Sequence, residues 1–169
     1  SFGGLISAIR NGGKGVYALT PAFTTRKAHS IAVPVGSSDM YALAAQSGAT
    51  GLTFSKIAIN QFGVVFPNNW VNMATLVASA ANISSPQVVM AGTKLAASYV
   101  DGTSAVFRGT TSPATVTSAA SMPVIGSCTS TSLADIAWDG TYLYAACVST
   151  SGALTVKRAT LTNLASVTW

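Results

Sequence analysis

Two stretches of this chain spell the same hairpin, and that repetition restricts the fold more than any other feature. Met90-Ala91-Gly92-Thr93-Lys94-Leu95 and Trp138-Asp139-Gly140-Thr141-Tyr142-Leu143 share an apolar–x–Gly–Thr–x–Leu order. Each continues into an Ala-rich apolar run and a second turn, Asp101-Gly102-Thr103 in one and Ser149-Thr150-Ser151-Gly152 in the other. Each then enters a segment that reaches Arg108 or Arg158. Short apolar runs broken by Asp-Gly and Gly-Thr turns read as antiparallel strands, because glycine supplies the positive φ a tight turn needs.

Looser copies of the outline lie upstream, and the units start near residues 5, 31, 57, 88 and 136. Their irregular spacing suits three- or four-stranded sheets joined by variable loops. The segment Val71 to Ala81 is Ala-rich, yet it carries Val, Thr and Ser where a helix would show Glu or Lys, and it reads as a strand. Gly109 to Ser132 is Ser/Thr/Pro-rich and without period, and it reads as the longest loop.

Charge bears out the β reading. Only 8 % of the 169 residues are charged, the four acids are all Asp, and there is no glutamate. A soluble helical bundle needs Glu/Lys/Arg-rich outer faces, so that class is excluded. A hydrophobic share of 49 % argues against disorder. No apolar run reaches the length that crosses a bilayer as a helix, so membrane insertion is not expected. The net charge of +5 comes from scattered Lys and Arg, not from a patch, and nucleic acid is not an expected partner. What remains is a single all-β domain, either whole or part of a larger chain.

Catalytic chemistry finds little support. Paired-carboxylate hydrolysis would have to use Asp39, Asp101, Asp135 or Asp139. Asp101 and Asp139 precede glycines in turns, and Asp39 and Asp135 flank strands as solvated side chains. His29 is the sole histidine and no Gly-x-Ser-x-Gly elbow accompanies it. No phosphate loop, dinucleotide fingerprint or metal-spaced cluster is present, so no cofactor and no metal are expected. Cys128 and Cys147 are the only cysteines; they form one bridge or, in the plainer reading, pack as two buried thiols.

Recognition is better supported. Tyr142 and Tyr144 share one strand face by the period of two, either lining a sheet or presenting rings to a ligand. Trp70 follows Pro67-Asn68-Asn69 beside a turn and is a further contact candidate.

The two Gly-Thr units resemble β-propeller repeats of phage tail-fibre and adhesin-like proteins. The resemblance covers Ile136 to Trp169 well and Val88 to Arg108 fairly. It implies a propeller-like array of short antiparallel sheets, with a jelly-roll or other β-sandwich as the alternative. It also implies a non-enzymatic virion structural protein, a phage tail, fibre or decoration subunit, located in the virion or outside the cell. Expected partners are copies of itself, other virion subunits and a host-surface glycan. The alternatives are a secreted bacterial surface or carbohydrate-binding module, and a degenerate glycosidase propeller. Sialidase-type propellers carry a Ser-x-Asp-x-Gly-x-x-Trp turn, of which the stretch ending at Trp169 keeps only the Trp. Few large core side chains and many strand edges point to a homo-oligomer or a larger assembly.

Overall fold

The computed structural model describes residues 5–10, 13–18, 26–33, 38–46, 51–58, 71–78, 82–129 and 131–160. They form thirteen strands: β1 (Leu5–Arg10), β2 (Gly13–Ala18), β3 (Arg26–Ala32), β4 (Asp39–Gln46), β5 (Leu52–Ala58), β6 (Val71–Val77) and β7 (Ile83–Ala91). The chain continues through β8 (Lys94–Asp101), β9 (Ser104–Thr110), β10 (Val124–Cys128), β11 (Thr131–Trp138), β12 (Tyr142–Ser149) and β13 (Leu154–Thr160). The helical content among the described residues is two single 3₁₀ turns, Pro113–Thr115 and Ala119–Ser121. The fold is all-β, as the hairpin pattern and the missing glutamate imply, and Val71–Val77 is a strand.

Every sheet is a meander of consecutive antiparallel strands. β1 and β2 form a hairpin, β3–β6 and β7–β10 form four-stranded sheets, and β11–β13 form a three-stranded one. The local turns follow the sequence: Gly92 and Gly102 adopt φ of +65° and +60° between paired strands, where a Cβ would be strained. The strands refine the sequence-based organisation in two places. β6, which falls in the unit starting near 57, pairs with β5, which also pairs with β4 of the unit starting near 31, so strands of both units share one sheet. Residues 59–66 of the later unit lie outside the described residues. The supposed loop from Gly109 to Ser132 contains β10, which pairs with β9 across a bulge between Val124 and Gly126.

The three meanders stack in chain order, with β3 against β7 and β7 against β11. This stacking is compatible with a propeller-like array and with a sandwich, and the described residues form no closed barrel. One core lies between the first two meanders, where Tyr41, Leu43, Leu52 and Phe54 meet Leu95, Ala97 and Tyr99. The rings of Tyr41 and Phe54 stack at 5.5 Å. The second core lies between the second and third meanders, where Ala96, Val100 and Phe107 meet Ile136, Leu143 and Ala145. β8 therefore feeds both cores, its odd positions one and its even positions the other, and Leu95 through Val100 are all buried. Burial on both faces replaces polar alternation by a continuous apolar run, and the alanines let the sheets approach.

Polar staples join the layers. Ser30 Oγ accepts the Val88 N–H at 3.1 Å and lies 3.4 Å from Gln87 Oε1, tying β3 to β7. Buried Thr131 takes the Ala105 N–H on its hydroxyl at 2.9 Å and donates its own N–H to the Thr103 carbonyl at 2.8 Å. Arg108 fastens the segment between β9 and β10: its Nη1 donates to the carbonyls of Met122 (2.8 Å) and Ala119 (3.1 Å). Its Nε donates to Tyr99 Oη at 3.1 Å, and Nη2 reaches the Leu76 carbonyl of β6 at 3.5 Å. Cys128 on β10 is disulfide-bonded to Cys147 on β12. This corrects the reading of two packed thiols: stacking the second meander on the third brings two strands remote in pairing within bridging distance, with Cα atoms 6.6 Å apart.

Candidate functional site

The outer face of the third meander brings together Tyr142 and Tyr144, two of the aromatic residues singled out in the sequence. Antiparallel register sets its rows: Leu133, Val148 and Leu154; then Asp135, Ala146 and Val156; then Ala137, Tyr144 and Arg158. Tyr142 and Thr160 close the face beside the Asp139–Gly140 turn. The opposite face of the same strands, with Ile136, Leu143, Ala145 and Cys147, is spent on the second core.

Asp139 organises the aromatic end. One carboxylate oxygen accepts the N–H groups of Thr141 and Tyr142, both at 2.7 Å, closing the turn. The other accepts the Tyr144 hydroxyl at 2.8 Å. The rings of Tyr142 and Tyr144 meet edge to face at 6.4 Å. Arg158, cross-strand from Tyr144, lays its guanidinium 4.8 Å from the Tyr142 ring centre. The result is an aromatic pair flanked by one cation and one anion. Such a set can stack on a planar or ring-shaped ligand and hydrogen-bond its edge.

The backbone N–H donors of Tyr142 and Thr141, then the Tyr144 hydroxyl, hold the Asp139 carboxyl below its ordinary range. The same Asp139 bond, with lesser help from desolvation, raises the Tyr144 phenol. The turn's carboxylate bonds therefore persist above the ordinary carboxylate range and are lost as pH falls through the lowered value. The Tyr144 bond holds until pH rises through the raised phenol value. Asp139→Asn is expected to bring the Tyr144 titration back toward the ordinary tyrosine range, read by NMR of labelled tyrosine. An unmoved titration would mean that the carboxylate does not govern the ring.

The remaining candidates divide. Trp70 lies outside the described residues. The solvated reading of Asp39 is corrected, since it is half-buried and ion-paired with Lys56 at 3.2 Å. Asp135 is exposed, and its carboxylate accepts the Ile136 N–H at 2.8 Å. His29 sits on β3 opposite Ala44. Among the described residues no three His, Cys, Asp or Glu gather in a way that would hold a metal ion. None of the described helical segments is long and apolar enough to cross a membrane. Sequence reasoning missed Arg158 as the cation of the patch and read Asp139 only as a turn residue. The alternation Leu154, Val156, Arg158 was the available signal for one outward face.

In comparison with known proteins, no family model matches the chain, and no curated protein matches it either.

Proposed function

We propose that this chain is a non-enzymatic virion structural protein, a phage tail, fibre or decoration subunit that serves assembly or host-surface attachment. The observation that carries the reading is the stack of charge-poor meanders ending in an outward sheet face of apolar and aromatic side chains. This face offers apolar area and ring edges, which suits assembly and attachment. The carboxylates of Asp39, Asp135 and Asp139 are engaged by Lys56, by Ile136 and by the turn, respectively. The hairpin resemblance supports the virion class, and the cysteine bridge suits an oxidising, extracellular setting.

The test is immuno-electron microscopy of purified particles with antiserum raised against this chain. Label is expected on tails or fibres; unlabelled particles whose protein complement lacks the chain would refute the proposal.

The Tyr142, Tyr144, Arg158 and Asp139 cluster favours a second reading, a carbohydrate-binding surface module. On that reading, glycan arrays should show binding that Tyr142→Ala weakens roughly three- to tenfold, the worth of one aromatic contact. Binding indifferent to this change would remove the reading.

A further inference from the structure

The two sulfurs of the Cys128–Cys147 bridge stand in unlike surroundings. Cys128 is the last residue of β10, the edge strand of the second meander among the described residues. It is half-buried, and Ser127 and Thr129 on either side of it are exposed. Cys147 lies in the middle of the third meander: on β12 it pairs with Ala134 of β11 and with Thr155 of β13. Only 3 % of it is exposed, and it belongs to the second core with Phe107, Ile125, Leu143 and Ala145. Cys128 packs against that core without being enclosed by it. Thiol–disulfide exchange requires a thiolate to reach one sulfur from the side opposite the other, so access decides which sulfur is attacked. Approach to Cys147 would have to come through the packed interface between the second and third meanders. Cys128 is reached from the solvent side of an edge strand.

We infer that the bridge is a one-sided thiol-exchange site, at which a small external thiol is taken up on Cys128 while Cys147 is released as a buried thiol. The inference goes beyond the proposed function, which uses the bridge only as a mark of its setting. The incoming thiolate forms a new S–S bond to Cys128 Sγ as the Cys128–Cys147 bond breaks, and the electron pair of that bond leaves on Cys147 Sγ. Cys147 takes up the proton that the incoming thiol gave up, so the external sulfur is oxidised and Cys147 is reduced. A second thiol then lifts the first from Cys128 as a small disulfide, or Cys147 attacks Cys128 and restores the bridge. Phe107, Ile125, Leu143 and Ala145 keep the two meanders packed while the bond is open, so the exchange proceeds in the folded chain. The joint between the second and third meanders thereby answers to the thiol content of its surroundings, closed in an oxidising space and opened from the β10 side in a reducing one.

The test compares Cys147→Ala, which leaves Cys128 alone, with Cys128→Ala, which leaves Cys147 alone, each checked by circular dichroism for the β spectrum. Both are treated with glutathione disulfide in native buffer and in denaturant, and the adduct is followed by mass spectrometry. In native buffer Cys128 should be modified about a hundredfold or more faster than Cys147, because a buried thiol reacts only when the structure opens locally. In denaturant the two rates should come together. The unmodified chain supplies a readout that needs no variant. Incubated with reduced glutathione, quenched in acid and alkylated, it should carry glutathione on Cys128 and the alkyl group on Cys147 in tandem mass spectra. Equal native rates for the two variants, or glutathione on Cys147 of the unmodified chain, would overturn the inference.

Discussion

Arg108→Ala is expected to cost about 3 kcal/mol of folding stability, a drop of about 6–12 °C in Tm for a chain of this size. The guanidinium is half-buried, and its partners are the Met122, Ala119 and Leu76 carbonyls and the Tyr99 hydroxyl; none of these acceptors is a carboxylate. Removing it orphans backbone acceptors around buried Met122, each worth about 1–3 kcal/mol when left without a partner, with losses that do not simply add. Lysine cannot span the set, since a single ammonium lacks the planar fork that addresses three carbonyls and a phenol at once. Arg108→Lys should therefore recover less than half of the loss, and Arg108→Met should separate the packing of the stem from the hydrogen bonds. The segment from Pro113 to Met122 should also loosen, with faster amide exchange at Val116 and Met122, whose N–H groups close its two 3₁₀ turns. Wild-type stability in Arg108→Lys would show that the fork is not what holds this segment.

The same arginine illustrates what local pattern reveals and what it leaves hidden. The hairpins were legible because turn chemistry is local: Gly92 and Gly102 take the positive φ that their neighbours in sequence announce. Strand β6 was legible despite the Ala-rich segment it opens, because helix-favouring charge is missing there. Strand β10 was not, since a bulge between Val124 and Gly126 breaks the period of two and its residues include Gly and Ser. The grouping of strands into sheets was only half legible. Nothing local distinguishes β5 as the middle of one sheet from the start of another, because pairing with β6 spans the stretch between Ala58 and Val71. At the candidate site, Tyr142 and Tyr144 followed from strand period, but Arg158 joins them only through the β12–β13 register, and that is non-local. The disulfide is the extreme case. Cys128 and Cys147 meet because two separate meanders stack, and sequence spacing carries no trace of that.

Breaking the Cys128–Cys147 bridge is expected to cost about 3 kcal/mol, the loop-closure value for a tether of this length, since the residues are 19 apart. The bridge adds to an interface already packed by Phe107, Ile125, Leu143 and Ala145, so the folded state should survive without it. The effect then falls mainly on the unfolded chain, which regains the freedom to separate β10 from β12. Three observations follow together in the Cys128→Ala/Cys147→Ala variant. Its denaturant midpoint should fall, its m-value should rise slightly because the unfolded state expands, and its native circular dichroism should be unchanged. Reduced unmodified chain should match the variant closely, because buried Cys147 replaced by alanine leaves only a small void. Equal denaturation midpoints for oxidised and reduced chain would refute this account. A reduced chain without native dichroism would instead make the bridge a condition of stacking, with the third meander held to the second by covalent tether more than by the second core.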